Sequence, residues 1–254
     1  MVVATLMMSG IVAHGEAQTP PSRPQARPSR PFVERGFVTI DAGIQAAAEE
    51  LSEHAQFQTN AETGTLDATY PGNSGVLFDG GAGFRIHKAF GVAVAVSRAS
   101  SSVNADVSAA IPHPFFDNRD RTVTGRAPDL TRTETAVHAQ LYYDLTPRGR
   151  WRAKLFAGPS YFNVEQELVN EVQAVETFPF DTAEFGSATT QRAKGRGIGF
   201  HGGVDAARML TRRLGLGALV RYARASVDLN GPGASGVSTT GGGFQAAASV
   251  RVLW

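Results

Sequence analysis

The chain has 254 residues, and 24 Lys and Arg against 23 Asp and Glu leave a formal charge of +1, too small a field to point to nucleic acid or acidic ligands. It has no cysteine, which excludes a disulfide framework, a thiolate metal site and a cysteine nucleophile. Its 28 glycines suit a narrow lumen, where backbones and side chains crowd, better than a soluble core.

In chain order, Val2 to Val12 comes first, an apolar run too short to span a bilayer. Gly15 and Ala17 are small residues placed for cleavage after Ala17, so residues 1–17 read as a secretory signal peptide, although no Lys or Arg precedes the run. Residues 18–35 form a Pro-rich linker carrying Arg23, Arg27, Arg30 and Arg35. Proline fixes φ and removes donors, so this stretch cannot join a sheet. It reads as a tether or as a basic arm touching an anionic cell-wall polymer.

Period-two runs follow, and no helix-period segment of convincing length appears. The first predicted strand is Gly36 to Ala48, with Val38, Ile40, Ala42 and Ile44 opposite Thr39, Asp41 and Gln45. The next are Gly75 to His87, Phe90 to Ser100, Thr133 to Leu145 and Trp151 to Val164. The last are Gly197 to Leu210, Leu214 to Leu229 and the terminal Phe244 to Trp254. Eight is an even number, as bacterial single-chain barrels require. The connections alternate: about Glu49–Asn73, Ser101–Arg132, Glu165–Arg196 and Asn230–Thr240 are long, whereas His87–Ala89, Thr146–Arg150 and Thr211–Arg213 are short. Outer-membrane barrels pair short periplasmic turns with long extracellular loops. The expected fold is therefore all-β: an eight-stranded antiparallel transmembrane up-and-down barrel over 36–254, with both termini periplasmic.

The charges fit that register. A Lys or Arg on the lipid face costs roughly 2–4 kcal/mol at mid-bilayer and about 0–1 near the interface. Within the strands, charges keep to the lumen parity, except Arg98, Arg208, Arg224 and Asp228 near strand ends. Arg98 and Arg224 read as interfacial residues within reach of lipopolysaccharide phosphate. Trp151, Tyr143, Phe84, Phe90 and Trp254 form an inner aromatic girdle, and Tyr161, Phe200 and Tyr222 an outer one. The acidic residues of the first and third long connections lack the order of a calcium loop and read as solvated.

The residues Lys154-Leu-Phe-Ala-Gly-Pro-Ser-Tyr-Phe162, the stretch from Gly197 to Tyr222 and the terminal Phe244–Trp254 resemble the small outer-membrane β-barrel proteins of the eight-stranded OmpA/OmpX type. That resemblance implies a C-terminal strand read by the barrel-insertion machinery, with Val252, Val250, Ala248 and Ala246 at alternate positions before Trp254. Two departures are a missing peptidoglycan-binding domain and loops longer than those of the smallest relatives.

An eight-stranded interior is just wide enough to be filled by side chains. The candidate lumen network is Asp41, Arg85, His138, Asp144, Arg152, Lys154, His201, Asp205, Arg221 and Arg251; unpaired charge in so narrow a space is expensive, so ion pairs are expected. The candidate lipid contacts are Arg98, Arg224, Trp151, Tyr222 and Trp254. Ser160 and Ser249 share the lumen with the histidines, yet nothing local marks a nucleophile. No catalytic residue, metal or cofactor is expected. The preferred role is structural or interactive, through envelope integrity, adhesion or ligand contact by the loops. The rivals are a small-solute or ion channel, a lipid-modifying barrel enzyme, and a soluble barrel with its apolar face turned inward.

Overall fold

The computed structural model describes residues 35–46, 50–145, 149–230 and 237–254. The expected signal peptide and nearly all of the Pro-rich linker lie outside the described residues. The strands are β1 (Gly36–Ala46), β2 (Leu51–Thr59), β3 (Glu62–Tyr70), β4 (Gly75–His87), β5 (Phe90–Pro112), β6 (Asp120–Leu145), β7 (Trp151–Glu176), β8 (Ala183–Met209), β9 (Leu214–Asn230) and β10 (Val237–Leu253).

Eight of them close a ring. Each of β4 to β9 pairs antiparallel with the next in chain order, and β1 joins β4 on one side and β10 on the other. The last bond of the ring matches Phe37 with Leu253 and Ala46 with Phe244. Closure removes the sheet edges that hydrocarbon could not solvate.

Apolar side chains point outward from this ring. Ile40, Val94, Leu141, Leu155, Val220 and Val250 are all exposed. Below them stand Phe84, Phe90, Tyr143, Trp151 and Trp254; above them stand Phe78, Tyr161, Phe200, Tyr222 and Phe244. Arg208 lies opposite Trp151, Arg98 opposite Phe78 and Arg224 opposite Phe200, so the outward arginines sit at girdle height. Along β10, the strand from Phe244 to Trp254 tilted as in other membrane barrels gives a band about 25 Å tall. A water-facing skin over an apolar centre, as a soluble barrel would have, is the reverse of this arrangement.

Pro159 has no N–H to give its neighbour, and the β6–β7 ladder skips between His138–Ser160 and Leu141–Ala157. Beside it a Cβ on Gly158 would lie 1.9 Å from the Ala139 carbonyl oxygen, so only glycine lets β6 and β7 approach there.

The long connections are where the structure departs from the sequence reading. They are mainly strand, not loop. Ser101–Arg132 holds the upper halves of β5 and β6, Glu165–Arg196 those of β7 and β8, and Glu49–Asn73 the β2–β3 hairpin. Asn230–Thr240 contains the end of β9 and the start of β10, with 231–236 outside the described residues. Beyond the upper girdle these strands build a crown in which the faces swap polarity. Leu66, Val107, Val123, Phe162, Leu168 and Leu229 form part of a buried apolar core. Outward, cross-strand partners carry opposite charges: Asp106 with Arg126 at 2.9 Å, Glu165 with Lys194 at 2.8 Å, and Glu167 with Arg192 at 3.2 Å. In the crown β3 stands in place of β4, pairing Thr65–Thr69 with Asp106–Ala110 of β5, and β2 pairs with β3.

Candidate functional site

The lumen is filled in three storeys. At the short-turn end, Arg85 holds Asp144 at 2.7 Å, and Arg152 donates to the carbonyls of Gly149 and Trp151. Just above, Lys154 Nζ lies 2.9 Å from the centroid of the Phe37 ring and 5.2 Å from that of Tyr142, a cation held against ring faces. Arg251 donates to Asp205, and Asp41 is buried beside them.

The middle storey is one continuous chain of bonds. Arg221, fully buried, donates to Asp79 at 2.7 Å and through Nε to Gln245 at 2.5 Å. Gln245 donates to Gln45, and Gln45 to Glu134 at 2.8 Å. Glu134 also takes a bond from Arg132 at 2.8 Å, and Arg132 reaches Gln166 at 2.6 Å and the Thr240 carbonyl at 2.7 Å. The chain ties β4, β9, β10, β1, β6 and β7 together. Four ion pairs result: Arg85 with Asp144, Arg132 with Glu134, Arg221 with Asp79 and Arg251 with Asp205.

Alongside runs a relay of serine and histidine side chains. Ser97 Oγ is 2.9 Å from His138 Nε2, His138 Nδ1 is 2.8 Å from Ser160 Oγ, and Ser160 Oγ is 2.8 Å from His201 Nδ1. One hydroxyl between two imidazoles donates to one and accepts from the other. The relay crosses from β5 to β8 around the lumen at one height instead of running along its axis. Ser160 has a base at nucleophile distance, but it is 2 % exposed and His138 is 0 % exposed, so no substrate reaches either.

The third storey is the crown core. Tyr70 links its parts, donating to Glu53 at 3.1 Å and accepting from the Val169 amide at 2.8 Å. Burial raises both the Tyr70 hydroxyl and the Glu53 carboxyl above their ordinary values. Glu165 and Glu167, outside, are held below theirs by bonds from Lys194 and from Thr131. At the tips of the two tall hairpins, Arg121 donates to Phe180 and Pro112 carbonyls and to Glu176, with Phe115 and Phe180 ring centroids 5.5 Å apart. His113 packs here against Phe115 and Phe116.

Of the ten lumen candidates, Asp41, His138, Lys154, His201, Asp205, Arg221 and Arg251 are buried inside the ring, and Arg85, Asp144 and Arg152 lie at its short-turn mouth. The outward candidates Arg98, Arg224, Trp151, Tyr222 and Trp254 are exposed at the girdles. Sequence reasoning missed Asp79, Gln45, Gln245, Glu134, Arg132 and Gln166, which complete the network. Asp79 and the two glutamines carry lumen parity and were open to detection by it. Glu134 lies within the predicted strand Thr133 to Leu145 and carries lumen parity too, whereas Arg132 and Gln166 sit just beyond the predicted strand ends.

Cavities within this filling are small, about 20 Å³ between Asp41, Lys154 and Arg221 and about 30 Å³ beside Tyr70, Arg132 and Glu134. The first holds about one water molecule. Among the described residues no group of His, Asp or Glu is arranged to hold a metal ion.

No family model matches the chain, and no curated protein sequence matches it significantly. Among solved structures it is similar to Neisserial surface protein A at 17 % identity, covering 86 % of this chain and 97 % of that one with a TM-score of 0.43. It is also similar to the outer membrane protease OmpT of Escherichia coli, at 11 % identity, 87 % and 97 % coverage and a TM-score of 0.45. A third is outer membrane protein OprG of Pseudomonas aeruginosa, at 13 % identity, 87 % and 94 % coverage and a TM-score of 0.37. Likeness at this level adds nothing to the closed ring, the outward apolar band and the paired girdles, which carry the assignment by themselves. On that geometry the chain is an eight-stranded up-and-down transmembrane β-barrel.

Proposed function

We propose that this barrel works as a closed anchor in the bacterial outer membrane and that its crown makes contacts at the cell surface. The observation behind this is the filled interior: a bonded polar chain in the band beneath a buried apolar core, with cavities of about 20–30 Å³ beside Lys154 and Arg132. Such a plug favours a structural or adhesive role over a channel. The short turns then face the periplasm together with both chain ends, and the crown faces outward. In that orientation Arg98 and Arg224 meet the outer-leaflet headgroups, where lipopolysaccharide phosphate is their natural counter-charge. Val250, Val252 and Trp254 present the alternating C-terminal strand to the insertion machinery. A lipid-modifying or proteolytic activity lacks support from the geometry, since the serine–histidine contacts among the lumen residues described above are sealed inside the ring.

The test is electrical. Purified barrel in planar lipid bilayers is expected to give no sustained conductance steps, while heating before electrophoresis shifts its mobility. Sustained steps of uniform size would overturn the closed-anchor reading.

A further inference from the structure

We infer that the outer edge of β2 is a docking strand for an extended peptide segment of a partner protein, which joins the crown by strand addition. This rests on the surface-contact reading above and names the chemistry of the partner.

In the band β1 closes the ring against β10, but in the crown no such closure is formed among the described residues. There β2 stands in the place of β1, pairs with β3, and has no strand on its other edge among the described residues. The two rims of the resulting seam differ. On β10, backbone groups beyond the last β1 pair are taken up by side chains. Gly242 N–H donates to Glu134 at 2.9 Å, and the Gly242 and Thr240 carbonyls accept from Gln45 at 3.2 Å and Arg132 at 2.7 Å. The backbone turns aside there, with φ +96° at Gly242. The rim of β2 has no such caps among the described residues.

Turn geometry identifies the free groups. Asn60 and Ala61 have φ of 51° and 63°, the conformation of a two-residue type I′ hairpin closed by the Thr59–Glu62 pair. The closing pair of such a hairpin exchanges both its bonds, and bonded pairs then alternate. Phe57, Ala55, Glu53 and Leu51 therefore bond to β3, and Ser52, His54, Gln56 and Gln58 direct their N–H and C=O groups to the open edge. The side chains of His54 and Gln58 lean the other way, to Asp67 at 2.7 Å and Thr63 at 2.6 Å on β3. Natural edges are blunted with proline, lysine or a bulge. Leu51-Ser-Glu-His-Ala-Gln-Phe-Gln-Thr59 has no proline or lysine, and its ladder with β3 is unbroken.

An edge of this kind selects an extended backbone first and side chains second. Ala55 and Phe57 on its inner face are half-buried against the crown core, so the incoming strand sets apolar side chains inward beside them at every second residue. A second copy fits poorly. Two barrels in one membrane, related by an axis along the membrane normal, set their β2 strands parallel with faces reversed. The apolar face of one would then meet the polar face of the other.

The test uses the whole chain folded in detergent micelles and a fluorescein-labelled peptide of alternating threonine and valine. Saturable binding is expected, with amide exchange at Ser52, His54, Gln56 and Gln58 slowed about ten-fold or more. Gln56→Pro removes an edge donor that β3 does not use and weakens binding by about ten-fold. The same peptide N-methylated at alternate residues does not bind the unaltered protein, which gives a readout independent of any variant. Absence of binding, equal binding by Gln56→Pro, or protection of the four amides before peptide is added would each overturn the inference. So would concentration-dependent self-association that Gln56→Pro abolishes, which would make the occupant a second copy. The heat-dependent mobility shift of the unaltered barrel scores the membrane-anchor reading separately.

Discussion

Band and crown are built from the same strands with opposite polarity. On β9, Val220 and Tyr222 face out and Arg221 faces in, whereas a few residues further along Arg224 and Asp228 face out and Ala225, Val227 and Leu229 face in. The backbone alternation continues unbroken while the solvent outside changes from hydrocarbon to water. Side-chain polarity follows the solvent, not the strand. Alternation therefore reports that a strand exists, and only the height of each residue relative to the bilayer decides which of its faces is apolar.

Substitutions can break this contrast. The largest effect is expected in the band interior, where Asp79→Ala leaves the fully buried Arg221 without its carboxylate and costs about 3–5 kcal/mol. Urea unfolding of the barrel in lipid vesicles measures it. Leucine at both Asp79 and Arg221 is expected to restore most of the loss, since the cost lies in the orphaned charge. In the crown interior Leu168→Ala is expected to cost about 2–5 kcal/mol, through lost apolar contact and a residual cavity. Limited proteolysis would then cut the crown while leaving the band resistant.

The outward face sharpens the contrast further. Val250→Arg at mid-bilayer is expected to cost about 2–4 kcal/mol and to deplete the membrane fraction. Ser226→Arg, outward on the crown part of β9, is expected to change stability by less than about 0.5 kcal/mol. Equal accumulation of the two variants would refute the height-dependent account.

The smallest expected effect is one of pH. Burial raises the Glu53 carboxyl, so the folded crown holds that proton more tightly than the unfolded chain. Its contribution is complete below the ordinary glutamate value and is lost as pH rises through the raised one. Glu53→Gln is expected to flatten this dependence, read as the protease concentration needed to cleave the crown at pH 4 and pH 8.

Much of the band was legible in the sequence. Val38-Ile40-Ala42-Ile44, Val92-Val94-Val96 and Leu214-Leu216 gave strands, register and outward face together, because hydrocarbon demands an apolar residue at every second position. The parity of Asp41, His138, Lys154, Asp205, Arg221 and Arg251 placed them inside. The crown was read as loop because its alternation has the opposite sign, and because register shifts near Val103 and Val169 interrupt the period. Arg132 and Gln166, beyond the predicted strand ends, were lost from the network for the same reason.

Local sequence thus determined the strands of the band and the side each residue faces, since period and polarity along one strand suffice for both. Which lumen groups meet was decided only in three dimensions. Arg221 and Asp79 are 142 residues apart in the chain and Gln45 and Gln245 are 200 apart, and closure of the ring is what brings each pair together. That β2 has no strand on its outer edge among the described residues is likewise a tertiary fact. It exists because the chain beyond β1 turns to pair with β3 instead of continuing along β10.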